Sequence, residues 1–194
     1  HSDGIQASYD GIWLNACNNS QLNNLFIHHF GHDGIYLTYN DCYILDHFPS
    51  SQNTCYISNC QISHNSRNGM SWSGGKGLIA YRTKFEFNGI SRLSMNPGAG
   101  LDIEYENSNI NNSNGLFTEC VFRYNKNYGL ISAAQQQGSD LHSSNYRFLL
   151  CTFSGSESGT AIYPNARQME FKDCYSYGYV NNPYVSYIPR WVAN

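Results

Sequence analysis

The segment YISNCQISHNSRNGM, Tyr56 to Met70, decides the fold. Ile57, Cys60 and Ile62 are its apolar positions, alternating with polar ones on either side of a two-residue break at Ser58 and Asn59. Alternation with period 2 marks a strand with one face inside, and the break before Cys60 marks a tight corner. Beyond it, Asn-Gly-Met opens a further apolar element. Working outward, that element has relatives throughout the chain. YDGIWLN at Tyr9 to Asn15 returns 23 residues later as HDGIYLT at His32 to Thr38. NGMSW (Asn68 to Trp72), AGLDIE (Ala99 to Glu104), YGLIS (Tyr128 to Ser132) and GTAIY (Gly159 to Tyr163) follow at irregular intervals, as insertions between rungs would produce. A repeat with a period in the twenties means stacked coils.

The Cys60 element recurs as well. Tyr146, Phe148, Cys151 and Phe153 fill the same pattern, as do Met169, Phe171 and Cys174. Leu78, Ala80, Thr83 and Phe85 form a degenerate copy, Phe117, Cys120 and Phe122 another, and Leu25, Ile27 and Phe30 a third, with Phe30 in the cysteine slot. Five residues after that slot stand Asn65, Asn88 and Asn125, which predicts an inward ladder of amides bonded from coil to coil.

Composition agrees. Of 194 residues, 41% are hydrophobic and 13% charged, too apolar for disorder, and no apolar run is long enough for a membrane span. Sixteen Tyr and ten Phe favour strands over helices. A net charge of -3 gives no basic surface for phosphate backbones, so neither nucleic acid nor membrane is an expected partner.

These features describe an all-β chain, a β-solenoid of about six or seven coils, with a propeller or sandwich as the alternatives. Through its x-I-x-N-C-x-I…N…G-I rung the chain resembles the right-handed parallel β-helix superfamily of pectate lyases, polygalacturonases and phage tailspikes. The resemblance runs over roughly residues 9 to 178. It implies a long, often acidic polysaccharide lying along or across the stack. It transfers no catalytic residue, because the paired Asp and Gly-His-Gly signatures of polygalacturonases and the Arg motif of pectate lyases are missing.

Residues 1–180 are expected to form the β-helix and 181–194, with Pro183, Pro189, Tyr184, Tyr187 and Trp191, a C-terminal cap or inter-subunit segment. The chain begins inside the repeat, so we expect a stack lacking its N-terminal cap, cut from a longer polypeptide. Cys60, Cys120, Cys151 and Cys174 share one slot and should stack inward as free thiols, while a disulfide among Cys17, Cys42 and Cys55 stays open. Glu86 with Arg123, and Arg82 with Glu119, occupy aligned slots and suit surface ion pairs.

The candidate chemistry lies in GAGLDIEYEN, Gly98 to Asn107. With Leu101, Ile103 and Tyr105 inward, Asp102, Glu104 and Glu106 would line one exposed face about 7 Å apart. Mutual repulsion raises at least one pKa, as a general acid requires, and carboxyls about 6.5–9.5 Å apart suit inverting glycoside hydrolysis. Asp102 and Glu104 are read as acid and base, with Glu106 in support. Aligning the Gly elements puts Trp13, Tyr36, Ser71 and Asp102 in one outward column, a sugar-binding groove with aromatic faces beside acids. His32 and Arg82 are added as substrate-binding residues. A lyase would need a base, for which His28, His29, His32, Arg82, Lys84 and Arg92 are available. His28 and His29 are expected in the corner just before Phe30. No metal or cofactor is required, calcium on Asp102, Glu104 and Glu106 being the one candidate.

The leading expectation is a carbohydrate-active β-helix, a glycoside hydrolase or polysaccharide lyase like a tailspike depolymerase, extracellular or virion-associated. Its rival is a non-catalytic receptor-binding or structural shaft that forms a homotrimer.

Overall fold

The computed structural model describes residues 9–15, 17, 19–38, 55–104, 112–132, 144–154, 160–163 and 167–180. Among these residues, nineteen strands fall into three parallel sheets. Sheet A stacks β1 (Ile12–Asn15), β4 (Ile35–Thr38), β7 (Met70–Trp72), β10 (Ala99–Ile103), β13 (Tyr128–Ser132), β16 (Thr160–Tyr163) and β19 (Tyr179–Val180) in that order. Sheet B stacks β2 (Gln21–Asn23), β5 (Cys55–Ser58), β8 (Gly75–Tyr81), β11 (Asn112–Thr118), β14 (Ser144–Leu149) and β17 (Arg167–Lys172). Sheet C stacks β3 (Phe26–His28), β6 (Gln61–Ser63), β9 (Lys84–Glu86), β12 (Val121–Arg123), β15 (Thr152–Ser154) and β18 (Tyr175–Tyr177). Each coil visits A, B and C once, giving six coils and the start of a seventh. Among the described residues, no helix is long and apolar enough to cross a membrane.

Inward side chains pile up in files because parallel strands in register place like residues about 4.8 Å apart. Phe85, Phe122 and Phe153 stack with centroids 4.9 and 5.0 Å apart. Phe117, Phe148 and Phe171 form a second file at 4.8 and 5.0 Å. Cys60, Thr83, Cys120, Cys151 and Cys174 occupy the corner between sheets B and C, all buried. Those four cysteines, together with Cys55 and Cys17, are free thiols; Cys42 lies outside the described residues.

One residue before that slot, Asn59, Arg82, Glu119, Leu150 and Asp173 all have left-handed backbone, φ between 51° and 56° except Arg82 at 47°. A single αL residue is what turns the chain from one sheet into the next. Asn24 belongs to the same set at 58°, so Leu25, not Phe30, takes the cysteine slot of the first coil. The register agrees, pairing Phe26 with Gln61 and Ile27 with Ile62. Phe30 therefore falls in the asparagine slot, and His29 matches His64 in the corner after sheet C. The two apolar residues five apart, Leu25 and Phe30, left the sequence pattern open to this slip.

The amide ladder is present. Asn65 Nδ2 donates to Asn88 Oδ1 at 2.9 Å, and Asn88 Nδ2 to Asn125 Oδ1 at 3.0 Å. Below it, the Phe30 N–H donates to Asn65 Oδ1 at 3.1 Å. The adjacent glycine file is required by close approach. A Cβ at Gly34 would lie 2.6 Å from Asn65 Nδ2 and 2.7 Å from the Gly69 carbonyl. In the sixth coil this slot holds Ala161, not Gly159, and there the pairing with β19 is irregular, skipping from Thr160 to Ile162.

The column drawn from the sequence is also present: Trp13 pairs with Tyr36, Tyr36 with Ser71, and Ser71 with Asp102. The long connections all begin or end at sheet A: residues 39–54, 104–111 and 133–143 lead from it to sheet B, and residues 87–98 lead into it from sheet C. Sheet A is thus the face beside the inserted chain, where variable segments usually carry function.

Candidate functional site

One residue before each glycine, at the entry to sheet A, stand Asp10, Asp33 and Asn68. Each caps the next coil. The Asp33 N–H donates to Asp10 Oδ1 at 3.0 Å, the Asn68 N–H to Asp33 Oδ1 at 2.9 Å, and the Ala99 N–H to Asn68 Oδ1 at 2.8 Å. This file anchors a row of charged groups crossing four coils.

Arg67 is the centre of the row. Its Nε donates to Asp33 Oδ1 at 2.9 Å and its Nη2 to Asp33 Oδ2 at 2.7 Å, a two-point clamp. The same Nη2 reaches Ser71 Oγ at 2.8 Å and Glu104 Oε1 at 3.2 Å. Burial works against the Arg67 charge, but Asp33 first, then Glu104 and Asp102, outweigh it and push its pKa up. On the first two coils His32 Nδ1 lies 2.7 Å from Asp10 Oδ1 and 3.7 Å from Asp33 Oδ2.

Beyond Arg67, Asp102 departs from expectation. It points away from the core yet is only 3% exposed, on the outer face of sheet A where the Arg67 side chain spans from Ser71 to Glu104. Asn68 Nδ2 donates to Asp102 Oδ2 at 3.2 Å. The other carboxyl oxygen, Oδ1, is buried and meets no ordinary donor. Desolvation, followed by the charge of Glu104 and a hydrogen bond between the two carboxyls, holds the Asp102 pKa well above the usual carboxylate range. Arg67 pulls the other way and is outweighed, while Asp33 adds to the rise. A hydrogen bond between two carboxyls requires that one of them be protonated, the form a general acid needs.

Glu104 is held from both ends. Its N–H donates to the Trp72 carbonyl at 3.0 Å, and its own carbonyl accepts from Asn112 Nδ2 at 2.8 Å. Its side chain, 17% exposed, is the member of the pair that reaches solvent. Glu106 lies outside the described residues. Trp13 is 61% exposed three coils away, about 14 Å along the column. Tyr36, half-buried between them, accepts a hydrogen bond from Ser73 Oγ at 3.2 Å.

The match of the right-handed beta helix region spans residues 10–182. The chain belongs to the right-handed β-helix family. No curated protein and no solved structure matches it.

Not every candidate joins the site of this β-helix. Arg82 stands in the corner between sheets B and C, where Nε donates to Glu119 Oε2 at 2.8 Å. It is an exposed ion pair of the kind its slot suggested, on another face from Asp102. Arg123 Nε donates to Glu86 Oε1 in the other expected pair, but there the carboxylate is buried and only the guanidinium is exposed. Lys84 is on sheet C. His32 does join, through Asp10 and Asp33. His28 and His29 lie at the end of sheet C.

Asp10, Asp33, Arg67 and Asn68 were missed as site residues. Their signal was the Asp-Gly, Asp-Gly, Asn-Gly series already visible in the repeat. Asp10, His32 and Asp33 bring ligand atoms within 4.8 Å of one another, a set able to hold a cation. However, both Asp33 oxygens are engaged by Arg67, and Asp10 Oδ1 by His32 and the Asp33 N–H. Burial, which raises the Asp102 pKa, also works against calcium there, since hard cations take ionised carboxylates.

Proposed function

We propose that this β-helix cleaves a polysaccharide lying across sheet A, with the Asp102–Glu104 pair as proton donor. The observation that carries the reading is the buried Asp102 carboxyl, its pKa raised beside Glu104, at the foot of the column that starts at Trp13. Glu104 delivers the proton to the leaving glycosidic oxygen, and Asp102 keeps the pair protonated at pH values where an isolated carboxyl is ionised. Arg67 fixes Glu104 and carries the positive charge that balances the pair afterwards.

His32, oriented by Asp10, is the proton acceptor. A carboxylate on one imidazole nitrogen leaves the other as base. The steps from His32 Nδ1 to Asp33 (3.7 Å), Asp33 to Arg67 (2.7 Å) and Arg67 to Glu104 (3.2 Å) put that nitrogen within about 10 Å of Glu104, and the other ring nitrogen, the base, within about 12 Å. That leaves room for a sugar ring or a water. Trp13 and Tyr36 supply ring faces for neighbouring sugars. The setting that fits is extracellular or virion-associated.

The test is a digestion screen of acidic and neutral polysaccharides, following reducing ends and absorbance in the unsaturated-uronate band. Wild-type cleavage lost in Asp102→Asn and Glu104→Gln supports the reading, and the absorbance separates elimination from hydrolysis. Cleavage that survives both substitutions overturns it.

A second reading, a non-catalytic receptor-binding or structural shaft that trimerises, is favoured by the exposed rings of Phe26, Tyr56, Tyr175 and Tyr177 on sheets B and C. Binding of a glycan without cleavage, by a trimer in light scattering, would select it.

A further inference from the structure

Adjacent residues in a strand point to opposite faces. At the end of β3 this rule is broken. His28 closes the strand, and His29 has a left-handed backbone with φ 61°, which swings its side chain back to the side of its neighbour. The two Nδ1 atoms come to 2.7 Å, both rings being exposed. At that distance one nitrogen carries a proton and the other offers its lone pair.

The rings are held from both sides. Phe26 lies against His28 with centroids 4.2 Å apart, and His64 stacks on His29 at 5.2 Å and 3°. His64 occupies the same corner on the next coil, with φ 56°, and is itself backed by Phe87 at 5.2 Å. Burial, then the charges of His29 and His28, push the His64 pKa down. Neutral imidazole nitrogens are the form that binds metals.

We propose that His28 and His29 chelate a divalent transition-metal ion through their Nδ1 atoms, Cu²⁺ in preference to Ni²⁺ or Zn²⁺. Two imidazole nitrogens at about 2.0–2.1 Å from an ion and at right angles to each other stand about 2.9 Å apart. The observed pair needs to open by only a few tenths of an ångström. Both protons then sit on Nε2, so chelation of the neutral pair is a tautomer shift that releases no proton. Waters complete the shell, and copper leads by the usual order of divalent affinities. His64 cannot share the ion while its ring is parallel to His29, because a metal lies in the plane of its imidazole. It acts as a wall.

The experiment is a calorimetric titration of the full chain with Cu²⁺, Ni²⁺ and Zn²⁺ at neutral pH, with copper paramagnetic resonance as second readout. One copper per chain with two nitrogen ligands is expected, weakened at least tenfold in His28→Ala and in His29→Ala and retained in His64→Phe. Circular dichroism checks that these surface variants fold. Copper affinity unchanged in both alanine variants, or lost in His32→Ala instead, overturns the assignment, as does the absence of binding at millimolar ion.

Discussion

Replacing Asp102 with asparagine keeps the shape of the side chain, its acceptor for Asn68 and a donor towards Glu104, but removes the proton. In the wild type the Asp102 pKa is raised on folding, so the native state binds a proton that the unfolded chain gives up above pH of about 4. The stability contributed by the protonated group is complete below that pH. It is lost as pH rises towards the folded pKa, with a slope of about 1.4 kcal/mol per pH unit. Asp102→Asn should therefore abolish cleavage yet be more stable than wild type at neutral pH. Urea denaturation of both chains across a pH series checks this, and parallel curves would refute it. Leu150 makes a smaller, independent case. It is 54% exposed with φ 56° in the corner slot that Asn24 and Asn59 fill with a residue suited to αL. Leu150→Asn should gain about 1 kcal/mol, read as a higher urea midpoint at unchanged slope.

Among the elements, the polar files differ sharply in what they contribute. Asn88 is buried and joins three coils. It accepts from the Asn65 N–H and Nδ2 and donates to Asn125 Oδ1 and to the Ile62 carbonyl. Asn88→Ala leaves those partners buried and unpaired, which should cost about 3 kcal/mol or more. Arg82→Ala breaks an exposed pair and should change stability by under about 1 kcal/mol. Chemical denaturation of the two variants side by side tests the contrast. The same contrast explains what could be read in advance. Asn65, Asn88 and Asn125 share a register set by chain spacing, and so do Trp13, Tyr36, Ser71 and Asp102, so both files were legible in the sequence. The burial of Asp102 was not, because it depends on how side chains of neighbouring coils lie over the sheet, and no local period encodes where a long side chain such as that of Arg67 lies. The first coil was misregistered for a related reason. Leu25 and Phe30 both satisfy an apolar slot, and only the αL residue Asn24 distinguishes them.

Across the whole molecule, five of the six described cysteines lie where reagents cannot reach. Burial, aided by Cys17, pushes the Cys55 thiol up to about 12, and burial likewise raises the Cys151 pKa. Cys174 is raised first by its hydrogen bond with Cys151, then by burial. In the native chain a thiol reagent at mildly alkaline pH should spare Cys55, Cys60, Cys120, Cys151 and Cys174 and, among the described cysteines, modify only the half-buried Cys17. Mass mapping before and after denaturation reads the difference. Label on Cys151 or Cys174 without denaturant would mean that the stack opens readily. The register along sheet A has a mechanical counterpart. Asp10 and Asp33 are 23 residues apart, Asp33 and Asn68 35, and Asn68 and Ala99 31, while the strand backbone of each coil bonds to the coil above or below. A pull on one end would unwind such a chain like thread from a spool, one turn at a time. The first turn would release about 80 Å of thread and the second about 120 Å, so a force trace would carry unequal teeth that spell out where the insertions lie.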